Sequence, residues 1–142
     1  MAILGLDYGE KRIGVALASG EGRLAVPLSV IERSDEKADL DKILALTEDY
    51  GVERIVVGLP RSLNGSIGPQ AEEVLAFTRA LSEQVGVTVD TWDERFTSVA
   101  ADTLLSDAGV KQQRRRGRRD AMAAAITLQG YLDDRTSKGV GS

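Results

Sequence analysis

Ala2-Ile3-Leu4-Gly5-Leu6-Asp7-Tyr8-Gly9, then Glu10-Lys11-Arg12, then Ile13-Gly14-Val15-Ala16-Leu17-Ala18: this opening stretch decides the fold. Two apolar runs joined by a short polar turn predict a β-hairpin. Asp7 closes the first run and sits at the hairpin's open mouth. Taking a carboxylate out of water is costly unless something compensates its charge. An acid at the end of an apolar strand therefore asks for a partner. The chain has no His and no Cys, so hydrolytic chemistry has to be built from carboxylates such as this one.

Outward from the hairpin, residues 24–31 alternate Leu24, Val26, Leu28 and Val30, the period of a third strand. Pro27 within it argues for an edge or a bulge. Ser34 offers an N-cap, with Asp35 and Glu36 in the first turn, to a helix that Gly51 stops. Arg54 to Leu59 shows no polar alternation and predicts a strand buried on both faces. A turn-rich loop spans Pro60 to Pro69, followed by a helix carrying Ala71, Val74, Leu75, Thr78 and Leu81 on one side. Val87 to Trp92 predicts a fifth strand, ending in Asp93-Glu94. A further helix follows from Thr97 or Ser98 to Gly109, and a last one from Asp120 to about Asp133. The expected fold class is α/β: a mixed five-stranded sheet, antiparallel over strands one to three and parallel thereafter, with helices on both faces. One domain over 1–133 and a frayed tail over 134–142 complete the expectation.

Composition narrows the chemistry. Without cysteine there is no disulfide framework, which suits a reducing compartment. The first strand begins at once and leaves no room for a secretory leader, so none is expected, and no apolar run approaches the ~20 residues that span a bilayer. The expectation is a cytoplasmic protein without membrane contact. Lacking His and Cys, the chain cannot form a Ser-His-Asp or Cys-His nucleophile or a typical structural zinc site. Oxygen ligands alone favour Mg²⁺ or Mn²⁺.

Net charge is -4, yet its distribution is uneven. Lys111, Arg114, Arg115, Arg116, Arg118 and Arg119 carry six positive charges within one run, leaving 12 basic against 22 acidic groups elsewhere. A concentrated basic loop on an acidic body makes a directional field suited to a polyanion. That loop predicts contact with a nucleic-acid backbone, with Lys11, Arg12, Asn64 and Arg95 as further contacts.

Asp7 ends strand one, Asp93-Glu94 follow strand five, and Asp120 opens the last helix. Ligands of open α/β sheets gather at the carboxyl ends of parallel strands, so these acids can meet there. Converging carboxylates repel unless divalent cations bridge them. Two such cations would stabilise the attacking and leaving oxygens of a phosphoryl displacement and acidify a water to replace the missing histidine. Asp93 and Glu94 point to opposite faces, and alternation alone does not choose between them.

The chain resembles the YqgF family, described as Holliday junction resolvases or pre-16S ribosomal RNA nucleases of ribonuclease H-like fold. The resemblance covers residues 2–133. It rests on Leu6-Asp7-Tyr8-Gly9 with Lys11-Arg12-Ile13-Gly14-Val15-Ala16, and on Val57-Gly58-Leu59-Pro60 with Asn64-Gly65 and Gly68-Pro69-Gln70-Ala71. Asp93-Glu94-Arg95-Phe96-Thr97-Ser98 and Asp120-Ala121-Met122-Ala123-Ala124 complete it. It implies Asp7, Glu94 and Asp120 as catalytic metal ligands, hence Glu94 over Asp93, with two Mg²⁺ or Mn²⁺ ions. It also implies precursor ribosomal RNA or branched DNA as partner, and a monomer or homodimer. Where the family commonly has lysine before its last aspartate, this chain has arginines, which grip phosphate but do not give up a proton.

Two other classes fit parts of the sequence. Asp-x-Gly followed by Gly-x-Ala also resembles the first phosphate loop of actin-like ATPases and sugar kinases, which need a second such domain. A non-catalytic nucleic-acid-binding factor of the same fold is the other. The intact set of acids favours the nuclease.

Overall fold

Two short connections early in the chain and long helical ones later give the sheet its mixed direction. In the computed structural model the described residues are 2–19, 24–60, 67–93 and 112–139, with side chains of the last segment described for 119–134. Strands β1 (Ala2–Tyr8), β2 (Arg12–Ser19) and β3 (Val26–Glu32) are followed by helix α1 (Glu36–Asp49) and strand β4 (Val52–Leu59). Helix α2 (Pro69–Gln84), strand β5 (Thr88–Asp93) and helix α3 (Gln112–Gly139) follow. The sheet order is β3-β2-β1-β4-β5, with β1–β2 and β2–β3 antiparallel and β1–β4 and β4–β5 parallel. This is the expected mixed five-stranded sheet. Among the described residues no helix is long and apolar enough to cross a membrane.

Pleat alternation sorts the strand residues onto two faces. Leu4, Leu6, Ile13, Val15, Ile55 and Val57 pack with Leu40 and Ile43 of α1 and Val74, Phe77 and Leu81 of α2. Ile3, Ala16, Ala18 and Val56 pack with Ala124, Ala125, Leu128, Tyr131 and Leu132 of α3. Helices thus cover both faces, and the α3 side mixes alanines with larger apolar residues.

Local differences from the sequence reading have physical causes. The N-cap of α1 is Asp35, whose carboxylate accepts the Ala38 N–H at 2.8 Å, not Ser34. Buried Asp39 reaches back and accepts the Ser34 N–H at 3.0 Å, which leaves Ser34 outside the helix. β3 is an edge strand, as Pro27 indicates, and its pairing shifts where Ser29 faces Val15 but Pro27 faces Ala16. The bulge breaks the alternation, so Leu24 and Val26 are exposed and Ile31 is the buried residue of that segment. Gly51 ends α1 with a φ of 60°, as expected of a helix-stopping glycine.

The basic run is the main correction. It is not a loop: the helical backbone begins at Gln112 and carries the run through Asp120 without a break. Gln and Arg are good helix formers, and one interior glycine, Gly117, costs only about 1 kcal/mol. Asp120 therefore lies within α3 rather than at its start. The same helix continues to Gly139, where a tail from residue 134 was expected. The helix expected between Thr97 and Gly109 lies outside the described residues.

Candidate active site

Asp7 is the penultimate residue of β1, paired with Gly14 of β2. The pairs Ile3–Ala18 and Gly5–Ala16 precede it on the same face, the face that α3 covers. Alternation therefore places Asp7 on the α3 side, at the end of the sheet where β1 and β4 finish.

Gly14 explains how Asp120 reaches this end. A Cβ built on Gly14 would lie 1.9 Å from the Asp120 carbonyl oxygen. No side chain fits there, so the α3 backbone rests directly on β2 beside Asp7. Gly5 plays a lesser part farther along, where a Cβ would meet Leu128 Cβ at 2.8 Å. The alanines at 121, 124 and 125 complete the close approach.

The Asp120 carboxyl group is partly buried, and its pKa is raised above the ordinary value. Burial is the main cause; Arg12 opposes it, Glu32 reinforces it, and Arg119 opposes it more weakly. Arg12 Nη1 lies 3.9 Å from Asp120 Oδ2, while Arg12 Nε donates to Glu32 Oε1 at 3.2 Å. The turn after Asp7 is held by Arg33, whose Nη1 donates to the carbonyls of Gly9 at 2.8 Å and Glu10 at 2.7 Å. The same guanidinium lies 4.3 Å from the centroid of the Tyr8 ring, whose centroid is 4.3 Å from that of Phe77. On this second face a cavity of about 400 Å³ opens beside Tyr8, Glu10, Gln70 and Glu73.

The predicted site residues thus divide. Asp7 and Asp120 come to one end of one face. Lys11 is exposed in the β1–β2 turn, and Arg12 is held between Glu32 and Asp120. Arg119 is exposed on α3, one residue before Asp120. Glu94, Asn64, Arg95 and Lys111 lie outside the described residues, as do the side chains of Arg114, Arg115, Arg116 and Arg118. Asp93 pairs in register with Leu59, which belongs to the α1/α2 side, so Asp93 occupies the face opposite Asp7. Among the described residues no three acidic groups converge tightly enough to hold a metal. Asp7 and Asp120 offer only hard oxygen donors, which fit Mg²⁺ or Mn²⁺ better than softer metals.

Sequence reasoning missed Arg33, Glu32 and the role of Gly14. Arg33 and Glu32 carried no local signal, because their partners are set by strand pairing. Gly14 did: a glycine inside an apolar strand marks close approach by another backbone.

Comparison with known proteins agrees over nearly the whole chain. The family model described as "RuvX: Holliday junction resolvase" matches residues 1–134. A protein of Moorella thermoacetica is 50% identical over 140 residues, covering 99% of this chain and 100% of its own. One from Desulforamulus reducens is 45% identical over 133 residues, covering 94% of this chain and 97% of its own. Both carry the name "Putative pre-16S rRNA nuclease". Among solved structures, Thermus thermophilus RuvC in complex with Holliday junction substrate is similar at a TM-score of 0.61 and 16% identity, covering 94% of this chain and 96% of that one. The fowlpox virus Holliday junction resolvase is similar at 0.59 and 11%, covering 94% of this chain and 99% of that one. At these identities the structural likeness shows the shared fold.

Proposed function

The chain belongs to the RuvX/YqgF family, and on that premise we propose that it is a divalent-cation-dependent nuclease that trims precursor 16S ribosomal RNA. The observation that carries this reading is the seat of Asp120 on Gly14, beside the cross-strand partner Asp7. It sets the Asp120 backbone on β2 at the position paired with Asp7, on the sheet face to which alternation assigns Asp7.

In this reading Asp7 is the fixed wall of the site, because its strand is buried between two neighbours and its turn is clamped by Arg33. Asp120 is the second ligand, presented by a helix that cannot retreat. Glu94 is the third, the acid that the family resemblance implies over Asp93. Mg²⁺ or Mn²⁺ bound there would supply charge stabilisation for an in-line phosphodiester displacement and a water acidic enough to attack at neutral pH. The chain's own residues orient the backbone. In this reading Lys11, Arg119 and the arginines that precede it in sequence would contact the phosphate backbone, with Asn64 and Arg95 as further contacts. Arginine suits this role because its planar fork binds phosphate oxygens in pairs. Such a substrate is met in the cytoplasm, and the basic approach works on RNA or DNA alike.

The family description favours a second reading, cleavage of four-way DNA junctions. That reaction would call for two sites and hence a homodimer, whereas end trimming needs one. The test compares the wild-type chain with Asp7→Asn on precursor 16S RNA and on junction DNA, with Mn²⁺ or with EDTA. The expected result is Mn²⁺-dependent cleavage of the RNA that the variant loses by at least about a thousandfold, the effect of several kcal/mol of transition-state stabilisation. Cleavage that survives EDTA or Asp7→Asn overturns the cation site. Preference for the junction selects the second reading.

A further inference from the structure

We infer that Arg12 is a stand-in cation for Asp120, screening that carboxylate until a divalent cation takes its place, with Glu32 drawing the guanidinium aside. The inference rests on the cation site proposed above and adds to it the pair that controls its occupancy.

Arg12 lies two residues before Gly14 on β2, hence on the same face as Asp7 and Gly14. Its cross-strand partner on β3 is Glu32. The guanidinium is shared unequally between two acids. Nε is within hydrogen-bond distance of Glu32, at 3.2 Å, whereas Nη1 stops 3.9 Å from Asp120 Oδ2. The outer contact is well exposed at Glu32 (76%), while Asp120 is more enclosed (28%).

This arrangement suits a counter-ion that has to leave. Asp120 cannot back away from its position, because its carbonyl is seated on Gly14. Its negative charge is disfavoured by burial and by Glu32, and Arg12 is the group that relieves it most. A guanidinium locked onto Asp120 by two short hydrogen bonds would compete strongly with an entering dication. One held beyond hydrogen-bond distance, with a second acid ready on its outer side, competes weakly. Arginine is suited to the part because its fork carries several donors: the rigid plane can pivot about the Nε contact to Glu32 and carry Nη1 away from Asp120. Exposed ion pairs of the Arg12–Glu32 type contribute little to stability, so this one is free to serve occupancy instead.

The test measures Mn²⁺ binding to the full chain without nucleic acid, by calorimetry and by water-proton relaxation. Arg12→Gln is expected to tighten binding about threefold, the usual worth of a partly exposed ion pair. Arg12→Lys, which keeps the charge, is expected to stay near wild type. Glu32→Gln is expected to weaken binding about twofold, and to lose most of that effect when Arg12 is already Gln. Asp7→Asn and Asp120→Asn test the site itself and are expected to abolish binding. If they do, and Arg12→Gln leaves affinity unchanged or lower, the stand-in role is overturned while the cation site stands. An equal Glu32→Gln effect in both backgrounds overturns it as well, since Glu32 would then act on the cation directly. If Asp7→Asn and Asp120→Asn bind Mn²⁺ as wild type does, the site reading fails instead. If Arg12→Gln folds poorly, Arg12→Met, which keeps the apolar stem and removes the charge, supplies the same two comparisons.

Discussion

The two faces of the sheet are packed on different principles. Against α1 and α2 the strands present Leu4, Leu6, Ile13, Val15, Ile55 and Val57, large aliphatic side chains that hold the helices at the spacing of a full side-chain layer. Against α3 they present Ile3 and Val56 but also Gly5, Gly14, Ala16 and Ala18. The helix answers with Leu128, Tyr131 and Leu132 along its length, but with Ala121, Ala124 and Ala125 where it meets the strands most closely. The first face buries apolar area, the main favourable term in folding. At Gly5 and Gly14 the second face gives up side-chain area and brings a helix backbone onto the strands. What it gains is position: the Asp120 backbone is seated on Gly14, the cross-strand partner of Asp7. If the proposed site is right, stability and site geometry are assigned to opposite sides of one sheet, and substitutions can separate them.

The largest effect on stability is expected from the α1/α2 side. Leu6→Ala removes a fully buried side chain and is expected to cost about 2–5 kcal/mol, read from denaturant midpoints. Below its melting temperature the variant is expected to keep most of its nuclease activity, because Leu6 points away from Asp7. Loss of activity in the fully folded variant would break the division between faces.

Gly14→Ala is the complementary experiment. The added methyl meets a backbone oxygen rather than a flexible side chain, so α3 has to shift. Overpacking of this sort costs about 1–3 kcal/mol. Activity is expected to fall much further than for Leu6→Ala, since the shift moves Asp120 off Asp7. A Gly14→Ala protein that is less stable yet fully active would show that the helix seat is a packing feature alone.

The same contrast explains what the sequence disclosed. The α1/α2 side was legible because it follows periodicity: Leu40, Ile43, Ala71, Val74 and Leu81 recur at helical spacing and do face inward. Asp7 was legible because a charge at the end of an apolar strand breaks that pattern. The start of α3 was not, because a run of arginines has helix-forming side chains but no apolar face to reveal it. Arg33, Glu32 and Asp39 were missed for another reason. Their partners are the Gly9 and Glu10 carbonyls, the Arg12 guanidinium and the Ser34 N–H. Strand pairing and the strand-to-helix turn choose those partners, and residue spacing does not show them.

The smallest effect sharpens the comparison most, because its sign is opposite. The folded chain raises the Asp120 pKa, mainly by burial, so it binds this proton more tightly than the unfolded chain does. Below the unfolded pKa both states are protonated, and the residue costs nothing. As pH rises through the folded value the native state has to carry a disfavoured charge, and stability falls by a constant amount above it. Asp120→Asn removes that cost. In the absence of divalent cations the variant is expected to be more stable than wild type at neutral pH by roughly 0.5 kcal/mol, the scale of substitutions at partly exposed positions. The difference should shrink to nothing as the solution is acidified past the unfolded pKa. Activity is expected to be lost at every pH. A site residue whose removal stabilises the fold marks a place where local energetics yield to chemistry. Equal loss of stability at both pH extremes would instead make Asp120 an ordinary helix residue, and the small-residue face would need another explanation.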